Sequence, residues 1–152
     1  MPRIVSDIVD TYLFRKFNGR TQFLVLRCRP DAPSGDVWHA IHSKIDPGET
    51  AVDAARRDIL RKTSLTPVRF YTADYIGQFY DPVSDTIVLA PTLAALIGPR
   101  ARVAISQDYI DYAWCDLEET TARLMWSAQR WAVRHIHDII VLGDDEAEIY
   151  SI

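Results

Sequence analysis

The sequence lacks several features that would point to particular classes of protein. Its 152 residues include only two cysteines, Cys28 and Cys115, and their separation fits neither a disulfide framework nor a zinc-ligand spacing. No apolar run approaches the roughly 20 residues of a membrane span, and the N-terminal residues lack the charged-then-apolar pattern of a secretory signal. We therefore expect a cytoplasmic protein without a membrane partner, in which both thiols stay reduced.

An excess of basic charge is also missing. Lysine and arginine number 17 against 21 aspartates and glutamates, which gives a formal net charge of −4 and a pI near 5.5. Domains that bind nucleic acid through its phosphates are usually basic, so this balance argues against general nucleic-acid binding. The sequence also has no P-loop or dinucleotide fingerprint, and no serine or cysteine nucleophile in a recognisable motif.

What is present indicates one globular domain. Hydrophobic residues make up 48% of the chain and charged residues 25%, which is ordinary for a domain of this length with a substantial core. We predict a single domain over residues 1–142 and an acidic, exposed C-terminal tail over residues 143–152.

Apolar and β-branched residues predict a series of strands. Residues 3–16 predict one long strand, and Asn18-Gly19 predicts a two-residue hairpin turn into a second strand over residues 21–29. Further extended segments are expected at residues 37–45, 68–80, 85–97, 102–106 and 112–115. Asp116, followed three residues later by Glu119, predicts the start of a short helix.

The clearest helix signal lies near the C-terminus, where residues repeat at intervals of three and four along one face. That face comprises Ala128, Trp131, Ala132, His135, Ile136, Ile139 and Ile140. We also expect Trp114, Trp126 and Trp131 to lie in the core. A central helix and a terminal helix among strands predict an α/β fold with a sheet covered on both faces.

Residues 43–65 carry most of the functional information. Pro47 and Gly48 predict a turn, and Thr50 with Asp53 predicts the N-cap of a helix beginning at about Ala51. The apolar stripe of this helix comprises Val52, Ala55 and Ile59. Its polar arc comprises Arg57, Asp58, Arg61 and Lys62. We therefore expect one face to pack on the sheet and the other to present four charges to a cleft.

This stretch resembles the Nudix box, the signature of hydrolases that split nucleoside diphosphate linkages. The family pattern is G-x5-E-x7-R-E-U-x-E-E-x-G-U, where U is a bulky aliphatic residue, and its spacing fits without a gap. Glu49 and Arg57 match the first glutamate and the arginine, while Ile59 and Leu65 match aliphatic positions. The resemblance implies an α/β/α sandwich, with the Nudix helix and a C-terminal helix packed on a mixed β-sheet. We interpret Gly48, Glu49 and Arg57 as the structural part of the motif.

The chain departs from the pattern where the family holds its magnesium ions. Asp58 stands in place of the glutamate after the arginine, and Arg61 and Lys62 replace the next two glutamates. Ser43 and Ser64 replace the two glycines. A helix face that is negative in the family is therefore positive here, and magnesium prefers clustered carboxylate oxygens.

The resemblance extends beyond the box. Trp38 has the placement of a tryptophan found in the subgroup that hydrolyses dATP or dihydroneopterin triphosphate. Ser106 and Trp114 keep the spacing of a second motif of that subgroup, with Gln107 and Asp108 in place of its Glu-His pair. The resemblance thus covers roughly residues 3–142.

Three interpretations remain open. In the first, a Nudix-fold protein with a vestigial metal site and little or no magnesium-dependent pyrophosphohydrolase activity binds a nucleotide or another phosphorylated small molecule. Arginine and lysine are common phosphate partners. The candidate ligand-binding residues are Arg61, Lys62, Lys44, Arg27 and Trp38, with Arg29 adding to the local field. This interpretation requires no cofactor.

In the second interpretation, the protein hydrolyses nucleoside triphosphates or related pyrophosphates with Mg²⁺ held by non-standard ligands. Its residual catalytic candidates are Asp58 and Glu49, with Asp58 as metal ligand and Asp108 and Asp111 as further carboxylates. In the third, the protein is a non-catalytic scaffold or forms a homodimer.

Two simpler expectations apply to the charged residues. Asp58 could form only solvated surface pairs with Arg61 and Lys62, worth a few tenths of a kcal/mol. His39 and His42 are expected on opposite faces of one strand.

Overall fold

The computed structural model describes residues 1–143 and 146–152 with their side chains. Within them, eight strands form one mixed sheet: β1 (Arg3–Val5), β2 (Ile8–Phe17), β3 (Arg20–Cys28), β4 (Trp38–His39), β5 (Ile41–Lys44), β6 (Arg69–Asp81), β7 (Thr86–Leu96) and β8 (Tyr109–Cys115). The α-helices are α1 (Ala51–Thr63), α2 (Leu117–Arg123) and α3 (Ser127–Ile136), followed by a π-helical turn (His137–Val141) and a 3₁₀ helix (Asp144–Tyr150). In the described part of the chain, no helix is long and apolar enough to cross a membrane.

The sheet is mixed, as predicted. Its central path runs β1–β7–β2–β3–β4, with β5 added beside β2, β6 beside β7 and β8 beside β3. Strands β2 and β7 are parallel, whereas β2–β3, β3–β8 and β6–β7 are antiparallel. Because β5 pairs with the first residues of β2, β5 and α1 lie at one end of the sheet.

Strand β3 shows how two cores form on one sheet. Phe23 and Val25 belong to the core on the side of α3, whereas Leu24 and Leu26 belong to the core on the side of α1. Successive strand residues point to opposite faces, so helices cover both faces of the sheet. The α/β/α sandwich expected from the sequence is confirmed.

The first predicted strand is in fact two. Both β1 and β2 pair with β7, but five steps from Val5 to Asp10 match only four from Val88 to Thr92. The chain therefore leaves the ladder between β1 and β2, where the Asp7 carbonyl instead accepts a hydrogen bond from Ile45 N at 2.7 Å. This contact fixes the strand that leads into α1.

The prediction of an exposed C-terminal tail is wrong for part of the segment. Ala147 is buried in the core on the side of α3, and Ser151 forms a bridge with Tyr71 on β6. Arg69 forms an ion pair with Glu148 at 2.5 Å. The side chains of residues 144 and 145 lie outside the described residues. The last turn thus packs against β6.

The buried face of the C-terminal helix is narrower than its sequence predicted. Ala132, Ile136 and Ile140 are buried as predicted, but Trp131 is 64% exposed and Trp126 is 56% exposed. Trp131 precedes Ala132 by one residue, or about 100° around the helix, which carries it beyond the buried arc. The prediction that both tryptophans lie in the core is therefore wrong.

Ser64 ends α1 in the left-handed conformation, with φ +61° and its N–H donating to Leu60 O. Glycine adopts this conformation without the Cβ clash that serine incurs. We predict that Ser64→Gly raises the free energy of unfolding by about 0.5–1 kcal/mol, measured by urea denaturation. Relief of the left-handed conformation, about 1–2 kcal/mol, exceeds the conformational entropy that glycine costs, about 0.5–1 kcal/mol. The gain is reduced by loss of the Ser64 Oγ contact to Ala104 O at 3.3 Å. A lower stability for the glycine variant would contradict the prediction.

Candidate functional site

The turn before α1 is held by an arginine clamp. Arg57 donates from Nε and Nη2 to the two carboxylate oxygens of Glu49 at 2.9 and 2.8 Å, and from Nη2 to Lys44 O at 2.8 Å. Hydrogen bonds from Arg57 and from Asp46 N lower the pKa of Glu49 to about 2. Gly48 supplies the turn with a φ of +81°. These residues fix the start of α1 against β5.

Asp58 lies under three cations. Its Oδ1 accepts from Arg57 Nη1 at 2.8 Å and from Arg61 Nε at 3.3 Å, while its Oδ2 lies 3.2 Å from Lys62 Nζ. Burial alone would raise the pKa of Asp58, but the charge of Lys62, hydrogen bonds from Ser43 and Lys62, and the charge of Arg61 together hold this pKa below its ordinary value. The side chain of Asp58 is 5% exposed, and both of its carboxylate oxygens contact protein cations.

Lys62 is the most enclosed of these cations. It is 8% exposed, and its Nζ donates to His42 O on β5 at 2.7 Å besides pairing with Asp58. The expectation that Asp58 and Lys62 face solvent in the cleft is therefore wrong, because β5 covers that part of α1. Their pair is not a solvated surface pair, while Arg61 remains half-exposed.

An open pocket of about 460 Å³ lies beside this cluster. It is bounded by α1, the end of β3 and the segment after it, β4 with β5, and the turn before β8. Its lining residues are Cys28, Arg29, Asp31, Ala32, Pro33, His39, His42, Arg61, Lys62, Asp108 and Tyr109. Arg61 extends from α1 across to Asp108, with 3.3 Å between Nη1 and Oδ2.

Only two of the five predicted ligand-binding residues line this pocket, namely Arg61 and Lys62. Arg27 instead makes a two-pronged pair with Asp36 at 2.7 and 2.8 Å. Trp38 packs against the core on the side of α3, where Arg123 lies 4.4 Å from its ring centre. Lys44 is exposed outside the pocket and contributes its carbonyl to Arg57.

The pocket also contains residues that the sequence did not assign to it. His39 and His42 both line it. The alternation predicted for this stretch is confirmed, because Ala40 belongs to the core on the side of α3 and Ile41 to the core on the side of α1. Ala40 separates β4, which pairs with β3, from β5, which pairs with β2. The pocket thus lies where the chain changes its strand partner. Tyr109 lies edge-on to His39, with 5.7 Å between ring centres.

His42 forms a hydrogen bond with Asp10. Its Nδ1 lies 2.6 Å from Asp10 Oδ1, and this hydrogen bond raises the pKa of His42. A raised folded-state pKa gives stability that is fully present below the unfolded-state value near 6.5 and is lost as pH rises through the folded-state value.

We therefore predict that Asp10→Asn destabilises the protein by about 0.5 kcal/mol at about pH 5.5 and by less at about pH 8.5. Urea denaturation at the two pH values measures the difference, and NMR titration of His42 should show a lowered pKa. Asp7→Asn, an exposed carboxylate on the same stretch, is the control. An equal loss at both pH values would contradict the prediction.

The donor set does not fit a magnesium site of the kind that the Nudix resemblance implies. Asp58 contacts three cations, Glu49 is held by Arg57, and Asp108 contacts Arg61. Across the described residues, no three histidine, cysteine, aspartate or glutamate side chains converge as a metal site. Lys62 Nζ itself lies between a carboxylate and a carbonyl oxygen, the kinds of ligand that hard cations prefer.

A family model described as the NUDIX domain matches residues 9–136. The chain belongs to the NUDIX family. The resemblance seen in its box is thereby confirmed at the level of the family. A comparison of this Nudix chain with curated proteins finds no match.

Solved structures agree with the family. The Ap4A hydrolase of C. elegans is 19% identical, with a TM-score of 0.74, and the match covers 90% of this chain and 98% of that one. The NUDIX domain of Shewanella oneidensis NrtR, solved with ADP ribose, is 14% identical (TM-score 0.72; 91% and 88% covered). The E. coli dihydroneopterin triphosphate pyrophosphohydrolase is 17% identical (TM-score 0.66; 88% and 94% covered). At these identities the likeness shows the Nudix fold alone.

Proposed function

We propose that this Nudix protein binds a nucleotide-like phosphorylated small molecule through its own cations, with little or no magnesium-dependent pyrophosphohydrolase activity. The observation that carries the proposal is the position of Lys62. Its ammonium is held between Asp58 and the His42 carbonyl at the wall of the pocket. A fixed ammonium supplies positive charge where a bound metal ion otherwise would.

Arg61 is the group best suited to contact the ligand directly. Its side chain is 55% exposed and faces the pocket, and a guanidinium presents two parallel donors to a phosphate. Lys62 adds a second positive charge, and Arg29 adds a second guanidinium to the lining of the pocket. The arrangement favours binding of a charged phosphate group.

The pocket is less well suited to cleaving a phosphate linkage than to binding one. Hydrolysis of a pyrophosphate requires a group that activates water and a group that stabilises the charge of the leaving phosphate. Asp58 and Glu49 are the residual catalytic candidates, but arginine and lysine donors hold both carboxylates and keep them weakly basic. This is why we propose binding without appreciable turnover.

We infer the class of ligand from the molecules that the structural neighbours bind or hydrolyse. Ap4A, ADP ribose and dihydroneopterin triphosphate each combine a ring system with linked phosphates. We propose the same chemical class for this chain. The pocket volume of about 460 Å³ suits a small molecule of this kind.

A ligand panel tests the proposal. We expect at least one of ADP-ribose, Ap4A, a nucleoside triphosphate, dihydroneopterin triphosphate or pyrophosphate to raise the melting temperature in the presence of EDTA. Incubation of the same panel with magnesium or manganese should give no release of phosphate or nucleotide product. Turnover that EDTA abolishes and magnesium restores would contradict the proposal, as would a panel without any stabilising ligand.

A further inference from the structure

Exposed carboxylates already contact the arginines that face the pocket. Arg61 Nη1 lies 3.3 Å from Asp108 Oδ2, and Arg29 Nε lies 3.2 Å from Asp31 Oδ1. The side chains of Asp108 and Asp31 are 60% and 76% exposed, in each case more than the arginine they contact. The carboxylates of Asp31 and Asp108 therefore occupy the arginines that a bound phosphate would contact.

The backbone, and not the carboxylate, holds Asp108 in place. Its carbonyl accepts from Arg29 N at 3.4 Å, and the neighbouring Ser106 N donates to Lys62 O at 3.0 Å. Among the described residues, the carboxylate makes two hydrogen bonds, with Arg61 Nη1 and Ser106 Oγ, each at 3.3 Å. Both are long for hydrogen bonds, so the carboxylate can rotate into solvent while the turn stays fixed.

We infer that Asp108 is an internal competitor for the ligand phosphate at Arg61 and thereby selects ligands that carry more than one negative charge. This inference rests on the proposed function. The carboxylate and the phosphate bind alternately to the same guanidinium. A monoanion replaces Asp108 without a gain in charge. A terminal phosphate or a pyrophosphate brings about two or more negative charges and can take both donors of the guanidinium.

Calorimetric titration with inorganic pyrophosphate in the presence of EDTA tests the inference. Asp108→Asn should bind pyrophosphate about two- to five-fold more tightly than the wild-type protein, the range expected from loss of an exposed ion pair. Asp138→Asn is the matched control because it makes the same change in net charge at a 73% exposed side chain. That residue follows α3, on the other face of the sheet from α1, and should leave the affinity unchanged.

A second pair of variants identifies Arg61 as the shared partner. In an Arg61→Gln background, Asp108→Asn should no longer increase the affinity, because the guanidinium for which the two anions compete is gone. A gain of the same size in both backgrounds would overturn the inference, since it would reflect only the general field of the carboxylate. Circular dichroism and thermal melting confirm that each variant is folded.

The remaining outcomes separate this inference from the proposed function. If the wild-type protein binds pyrophosphate but Asp108→Asn matches Asp138→Asn, competition is overturned and the proposed function stands. If only Asp108→Asn binds measurably, competition is supported. If neither wild-type protein nor any variant binds pyrophosphate, this inference is overturned. If, in addition, no member of the ligand panel raises the melting temperature, the proposed function fails as well.

Discussion

Replacing Asp58 by alanine is expected to lower the free energy of unfolding by about 3–5 kcal/mol. The substitution removes the carboxylate that neutralises Lys62, which is 8% exposed, and leaves its charge buried beside two arginines. An uncompensated buried charge is among the costliest defects that a single substitution can create. Urea denaturation followed by circular dichroism measures the loss.

Two further variants separate this effect from a simple loss of side-chain volume. Asp108→Ala removes a 60% exposed carboxylate from the same pocket and should change stability by less than about 0.5 kcal/mol. Lys62→Met in the Asp58→Ala background should recover at least about 1 kcal/mol, because it removes the unpaired charge. A cost below about 1 kcal/mol for Asp58→Ala alone would contradict the assignment of a buried ion pair.

Reversing the charge of Arg61 is expected to weaken pyrophosphate binding by about 30- to 100-fold in the presence of EDTA. The substitution Arg61→Glu removes a charge-assisted hydrogen bond, worth about 1.5–3 kcal/mol, and adds repulsion from the new carboxylate. Titration calorimetry on wild-type and variant protein gives the ratio of dissociation constants directly.

Arg56→Glu provides the control for this reversal. The substitution makes the same change in net charge on the same helix. The guanidinium carbon of Arg56 lies 4.9 Å from the ring centre of Phe70, and Arg56 does not line the pocket. We expect Arg56→Glu to alter the affinity by less than about two-fold, as for a distant screened charge. If the two variants weaken binding equally, the helix acts only through its overall charge and Arg61 has no direct role.

The features predicted correctly from sequence depend on neighbouring residues. Asn18 and Gly19 both adopt positive φ, which the two-residue hairpin turn requires. Thr50 Oγ1 accepts from Asp53 N at 3.1 Å at the start of α1. These interactions span three residues or fewer, so residue type alone is sufficient to predict them.

The features missed depend on contacts between distant parts of the chain. The burial of Lys62 follows from β5 crossing over α1, where a carbonyl 20 residues away accepts from its ammonium. The shared pocket of His39 and His42 follows from the break at Ala40, which each partner strand helps to set. Helical periodicity describes one element and cannot predict what another element covers.

The box itself illustrates both cases. Its spacing predicted the fold, and the Glu49–Arg57 pair shows why that spacing exists, since the side chains must reach each other across the turn. The replacement of two glutamates by Arg61 and Lys62 was visible in the sequence, but the contact of Asp58 with three cations was not. Because of these contacts, the carboxylate of Asp58 is already paired within the protein.

The affinity of the wild-type protein for ADP-ribose, measured once with EDTA and once with excess magnesium, tests the central proposal most directly. If protein cations take the role of the metal, the two dissociation constants should agree within about two-fold, apart from the share of ligand that magnesium itself binds in solution. Binding that disappears in EDTA and returns with magnesium would contradict the account, because the phosphate would then be held through a metal ion.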